Sequence, residues 1–435
     1  MLSNIMLSTN RFKSLFILFL ILLVLVFLLS FTLVVFGQES EIWMKNFGGI
    51  SDDNCFSALI APDGGYILAG HTASFGAGET DVWLIKTDSN GNMQWNKTYG
   101  GALSETVQFM IKVNNGYLIL ARTYSFGEGD YDLWLIKTDF NGNLIWNRTY
   151  GGPGTDWMWS IVETYDGGYT MVGRTNSFGA GENDFWLMKT NSEGSLEWNK
   201  TIGYEGDERA RFLVNTPDGG FLLLGWTSSF GMGEVDYWVV KTDSFGNPQW
   251  NKTYGGELGD RGIAIAKNED NSYILAGSSS SFGAGNSDIW LVKIDGSGNQ
   301  LWNKTYGGSE GESVRSILTT NDGGYAFVGY TYSFGAGDQD CWFVKTDSMG
   351  NIIWNQTYGG TAHEALQSIE KIEQGGYLLS GFSASDGSTN TDVILIKTDQ
   401  QGIIPEFPSN MLLLLFIGLT LIVIIYRKVR KTLIY

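Results

Sequence analysis

A tryptophan recurs along this chain at Trp83, Trp134, Trp186, Trp238, Trp290 and Trp342, with Ile394 in the seventh place, at spacings of 51, 52, 52, 52, 52 and 52 residues. A second tryptophan column keeps the same period at Trp43, Trp95, Trp146, Trp198, Trp250, Trp302 and Trp354. Sevenfold self-similarity at this period leaves few architectures open, because each unit must bury its apolar face on the next. Within one unit four apolar or β-branched runs, Ser313–Thr319, Tyr325–Thr331, Asp340–Thr346 and Ile352–Tyr358, are separated by Asn, Asp and Gly. Runs of that length with such turns read as antiparallel strands. The period therefore predicts an all-β chain built from seven four-stranded units.

The ends of the array predict how it closes. A lone fourth-type strand, Ile42–Phe47, precedes the first complete unit, and the last unit stops after its third strand at Lys397-Thr398-Asp399. The orphan strand fits the vacant place, so a closed seven-bladed β-propeller is expected over residues 38–404, with no exposed edge and no capping repeat. Cys55 and Cys341 fall in different units at positions that are mostly apolar elsewhere, and are read as separate core residues without a disulfide. The motif Asp-x-x-Gly-Asn-x-x-Trp, as in Asp88–Trp95, resembles the blades of pyrroloquinoline-quinone-type propellers, whose turn is typically a residue longer. It is also loosely similar to the Asp-box of sialidases. The resemblance covers about ten residues per blade; it implies the fold, and neither a quinone site nor glycosidase activity.

Apolar segments flank the array. Arg11 and Lys13 precede the uninterrupted run Ser14–Phe36, so residues 1–37 are expected to be a signal peptide or an N-terminal anchor. Residues 405–435 hold Pro405-Glu406-Phe407, an apolar run Met411–Tyr426 and a basic cluster Arg427–Lys431. Sixteen residues at helical rise give a short span of about 24 Å, and the basic end is expected in the cytoplasm, with the propeller outside the cell membrane. This tail resembles the PEF-type sorting signals of archaeal surface proteins, which archaeosortases are thought to process. The resemblance implies an archaeal cell-surface protein. Both propeller ends are expected on the face of the third-to-fourth-strand turns, which then looks at the membrane.

Between the apolar runs Ser14–Phe36 and Met411–Tyr426, 22 basic residues face 46 acids, a formal charge of −24. Such a surface disfavours nucleic acid and favours cations or basic partners. Two acidic columns recur on the loops expected to point away from the membrane. Asp53, Glu105, Asp156, Glu208, Asp260, Glu312 and Glu364 enter the first strand of each unit, and are expected around the channel mouth. Asp81, Asp132, Asp184, Asp236, Asp288, Asp340 and Asp392 open the third strand. Carboxylates at this density are candidate ligands for a cation such as Ca²⁺, or they bond loop backbone as structural residues copied by the repeat. Phe75, Phe126, Phe178, Phe230, Phe282 and Phe334, with Asp386 in the seventh place, are candidate contacts for a sugar or protein, or plugs between blades.

Asn96, Asn147, Asn199, Asn251, Asn303 and Asn355 each open an N-x-Thr sequon and are candidate glycosylation sites. His71 and His363 are the two histidines, and neither belongs to a catalytic motif. Three functions remain open: a non-catalytic cell-surface module binding a glycan, a protein or an ion, a polysaccharide-active enzyme using paired carboxylates, and a structural component of the envelope.

Overall fold

The Trp-Leu-Ile-Lys-Thr runs lack polar–apolar alternation, the pattern of a strand covered on both faces. In the computed structural model, which describes residues 42–403 apart from 374 and 385–389, Asp132–Thr138 is buried at every residue. So are Asp81–Thr87, Asp184–Thr190, Asp236–Thr242 and Asp340–Thr346. The Trp-Asn-Lys-Thr-Tyr runs alternate exposed with half-buried residues, as in Met93–Tyr99. They are outermost strands. The apolar runs Ser14–Phe36 and Met411–Tyr426, the Pro405-Glu406-Phe407 motif and Asp386 lie outside the described residues. No helix among the described residues is long and apolar enough to cross a membrane.

Seven four-stranded antiparallel sheets result, each ordered a–b–c–d from inside to outside. Blade 1 comprises Asp53–Ile60 (a), Tyr66–Thr72 (b), Asp81–Thr87 (c) and Met93–Tyr99 (d). In blade 7, Glu364–Lys371 (a), Tyr377–Ser383 (b) and Asp392–Thr398 (c) are completed by Trp43–Phe47 as strand d. The ring is thus closed by its first strand. Contacts across the closure copy those elsewhere. Asp53 N–H donates to Thr391 O at 2.7 Å as Glu105 N–H does to Thr80 O at 2.8 Å, and Lys45 Nζ donates to Asn92 Oδ1 as Lys97 does to Asn143.

The apolar core lies between blades. One cluster joins Ile67, Ala69, Val82 and Leu84 of blade 1 to Val107, Met110, Tyr117 and Trp134 of blade 2, with Trp95 packed against it. The c-strand tryptophans are 1–5 % exposed. Removing about 200 Å² from water at ~25 cal/mol/Å² gives each an upper bound of about 5 kcal/mol. Cys55 and Cys341 are free thiols in this core. Burial pushes the Cys55 thiol up to about 11 against the hydrogen bonds around it. A lysine stands next to last on each strand c and is buried in five of them; in four blades it pairs with the a–b turn, as Lys86 with Asp63 at 2.8 Å and Lys241 with Asp218 at 2.8 Å.

The outer Trp column locks successive blades together. In the c–d turn of blade 2, Asp139 Oδ1 accepts the N–H groups of Asn141 and Asn143, and Gly142 takes φ +69°. Trp95 of blade 1 lies over that glycine so closely that a Cβ there would stand 2.7 Å from the ring. Tyr99 Oη donates to Gly142 O, and Tyr254 and Tyr306 repeat the bond to Gly298 and Gly350 at 2.6 and 2.7 Å. Gly142→Ala therefore meets both a left-handed backbone and the indole. We expect it to destabilise the ring by about 3 kcal/mol or more, whereas Gly64→Ala, at φ +81° with nothing within 4 Å, costs about 1 kcal/mol. Denaturant midpoints of the two variants check this, and equal losses would contradict it.

Candidate functional site

Strand a is the innermost strand of every blade: Asp53–Ile60, Glu105–Val113, Asp156–Glu163, Glu208–Asn215, Asp260–Lys267, Glu312–Thr319 and Glu364–Lys371. Its pairing with strand b slips by one residue at the same point in all seven, leaving Phe56, Gln108, Trp159, Arg211, Ile263, Arg315 and Gln367 without a register partner. A bulge re-aims the extra side chain. All seven line one cavity of about 730 Å³ in the central channel. Towards the d–a and b–c loops, a second layer comes from cross-strand pairs such as Asn54–His71, Thr106–Arg122, Trp157–Arg174 and Arg209–Trp226. Phe109 and Phe212, from blades that are not neighbours, meet edge to face at 5.8 Å and narrow the channel below.

These channel positions are where the repeat breaks. Six of the seven arginines between residues 42 and 403 stand on strands a and b: Arg122, Arg174, Arg209, Arg211, Arg261 and Arg315. His71, Arg122, Arg174 and Trp226 occupy equivalent places on strand b and form one edge of this surface; the bulge position was missed in the sequence. The available signal was the complement of the repeat: residues that differ between units while their neighbours are copied.

The cavity's electrostatics follow from burial. Arg211 is pushed down to about 9 by burial and then by Arg315, Arg209 and Arg174. Arg122 and Arg174 are lowered in the same direction, burial first. Burial, aided by Arg122, takes His71 down to about 4, so it is neutral at pH 7. Glu370, the cavity's single carboxyl side chain among the described residues, is raised to about 7 by burial against the pull of Lys112. Aromatic faces hold the arginines: Arg122 lies 4.1 Å from the Trp157 ring centre and Arg211 4.6 Å from Trp159.

The two acidic columns are elsewhere. The expectation that Asp53, Glu105, Asp156, Glu208, Asp260, Glu312 and Glu364 ring the channel mouth is corrected: they are 0–2 % exposed, beneath the d–a loops. Glu105 accepts Gly101 N–H at 2.8 Å and Thr123 Oγ1 at 2.8 Å. Asp156 accepts Gly152 N–H at 2.6 Å, Ser177 Oγ at 2.7 Å and Thr175 Oγ1. Glu208, Asp260, Glu312 and Glu364 likewise take the amides of Tyr204, Gly256, Gly308 and Gly360.

In the second column, Asp81, Asp132, Asp184, Asp236, Asp288 and Asp340 are 1–2 % exposed and Asp392 is half-buried. Asp81 Oδ2 accepts Ala77 and Gly78 N–H at 2.8 and 2.9 Å. Burial raises Asp132, with neighbouring Asp156 adding to it, against the two amides that pull it down. The first glycine of each Tyr-Gly-Gly fits between the columns, since a Cβ on Gly255 would stand 1.5 Å from Asp236 Oδ1. No group of three His, Cys, Asp or Glu among the described residues is arranged to hold a metal ion.

Phe75, Phe126, Phe178, Phe282 and Phe334 are 39–45 % exposed and Phe230 is half-buried. Each covers the c-strand tryptophan of its own blade, as Phe282 does Trp290 at 4.9 Å between ring centres. The sequon residues Asn96, Asn147, Asn199, Asn251, Asn303 and Asn355 are exposed. Five of them accept an indole N–H, as Asn96 does from Trp83 at 3.1 Å, so the copied asparagine also has a structural role.

No family model matches the chain, and neither does any curated protein sequence. Solved structures do. The WD40 domain of Pan2 from Neurospora crassa superposes with a TM-score of 0.51 at 10 % identity, covering 85 % of this chain and 99 % of that one. A polysaccharide lyase, Uly1, gives 0.50 at 10 % identity over 81 % and 90 % of the two chains. At such identities the likeness shows the propeller fold.

The acidic columns generate one prediction. Asp156→Asn leaves a buried amide facing donors, and is expected to destabilise the chain by about 2–3 kcal/mol in denaturant titration. Millimolar Ca²⁺ at matched ionic strength should leave the wild-type midpoint unchanged; a specific Ca²⁺ shift would show that these oxygens are available to a cation.

Proposed function

We propose that this chain is a non-catalytic binding module held at a cell surface, with its ligand site in the central channel. One observation carries the reading: seven units copy their loops, cores and inter-blade contacts, yet differ from one another where side chains enter the channel. A purely structural envelope component has no reason to break its repeat there. Paired-carboxylate hydrolysis needs two carboxyl groups about the scissile bond, and the cavity offers Glu370 alone among the described residues.

The flanking sequence supports an extracytoplasmic position. Strand d of blade 7 begins at Trp43 and strand c of that blade ends at Thr398, both on the face of the c–d turns. Flanking segments that anchor the chain in a membrane would hold the propeller on its outer side. The Pro405-Glu406-Phe407 tail, which resembles archaeal sorting signals, fits such an anchor.

The test is a binding screen of the full-length chain in detergent micelles against neutral and acidic oligosaccharides. Trp159→Ala inside the cavity should abolish the hits, and Phe282→Ala on the outer loops should retain them. Hits that survive Trp159→Ala would move the site out of the channel.

A further inference from the structure

Forty-six acids were available to this chain, yet its channel is basic. Among the described residues, Arg209 alone of the six channel-side arginines has an ion-pair partner, Asp207 at 2.9 Å. Arg122 donates Nε to Thr106 Oγ1 and Arg174 donates to Asn183 Oδ1 at 3.2 Å, both neutral acceptors. Arg174 Nε, Arg315 Nε, His71 Nδ1 and Trp157 Nε1 are buried without any hydrogen-bond partner. Unpaired charge and unmade hydrogen bonds in a desolvated site cost stability, and a bound group that accepts from them offsets that cost.

The donors specify the group. Guanidinium forks match planar oxyanions, and charge-assisted bonds to them are the strong ones. The remaining lining specifies the body that carries it. Gln108, Gln367, Ser316 and Thr106 are neutral hydrogen-bonding side chains interleaved with the apolar faces of Phe56 and Trp159. A ligand with hydroxyl edges, apolar faces and a carboxylate satisfies all three sets of groups. A cavity of about 730 Å³ lies within the range of sites for small organic ligands.

We propose that the channel binds an acidic sugar, its carboxylate held by Arg122, Arg211 and Arg315. The inference rests on the binding reading above and adds the charge and class of the ligand. A chain whose outside is strongly acidic repels polyanions over most of its surface, so the basic mouth also selects the end-on approach of an acidic glycan.

Isothermal titration of the full-length chain with trigalacturonate, with its methyl ester and with inorganic sulfate at fixed ionic strength tests this. Trigalacturonate should bind at least tenfold more tightly than the ester or sulfate, and Arg211→Gln with Arg315→Gln should remove that preference. An ester that binds as tightly as the acid would overturn the charge assignment while leaving a binding channel in place. Equal affinity for sulfate would overturn the sugar in favour of a free oxyanion. Failure of all three, with Trp159-dependent hits elsewhere in the screen, would overturn the inference alone; failure with no such hits would overturn both readings.

Discussion

Six blades of this ring are each held by the outer edge of the one before, through an indole packed against a glycine turn. Trp95 covers Gly142, Trp146 covers Gly194, Trp198 covers Gly246, and the pattern runs on to Trp354 over Gly402. The contact fixes the distance between sheets, so the wedge behind it must be filled by the same side chains each time. It also forces the Asp-x-x-Gly-Asn turn, because the glycine must adopt a left-handed backbone while Asp139 and its counterparts hold the flanking amides. A ring of seven such wedges closes only if they agree in angle, which accounts for units of nearly constant length. Across the closure, the first strand completing the last sheet repeats the lysine-to-asparagine bond, from Lys45 to Asn92.

That requirement leaves little of a blade free to vary. Strand c is buried on both faces, strand b is packed against it, and the d–a and b–c loops are tied down by buried carboxylates. Strand a alone has one face on a neighbour and one on the channel. Its bulge adds a side chain to the channel face without disturbing the pairing on either side. The fold therefore separates two sets of residues in space: what the ring needs is copied, and what lines the channel is particular to each blade.

The architecture was legible because it is periodic. The strand runs Tyr325–Thr331, Asp340–Thr346 and Ile352–Tyr358, the orphan strand and the unpaired thiols emerge in the structure as the pattern suggests. The candidate site was less legible for the same reason. Sevenfold copies of Asp and Glu drew the eye to carboxylates that bond loop amides or hydroxyls, although Asp53, Asp132, Asp236 and Asp260 keep one buried oxygen without a partner. The channel residues share no motif, and a one-residue bulge reverses the faces that simple alternation assigns along strand a. Phe56, Trp159 and Arg211 come together only through that slip.

On the proposed function, the channel arginines serve binding at the expense of stability. Thermal unfolding of the chain carrying Arg211→Met and Arg315→Met, without ligand, tests it most directly. Replacing two mutually repelling, desolvated cations by apolar side chains of similar reach should raise Tm above that of the wild type, as expected where a site is kept strained for function. A lower Tm would show that the guanidinium groups hold the ring together, and the division between scaffold and channel would fall.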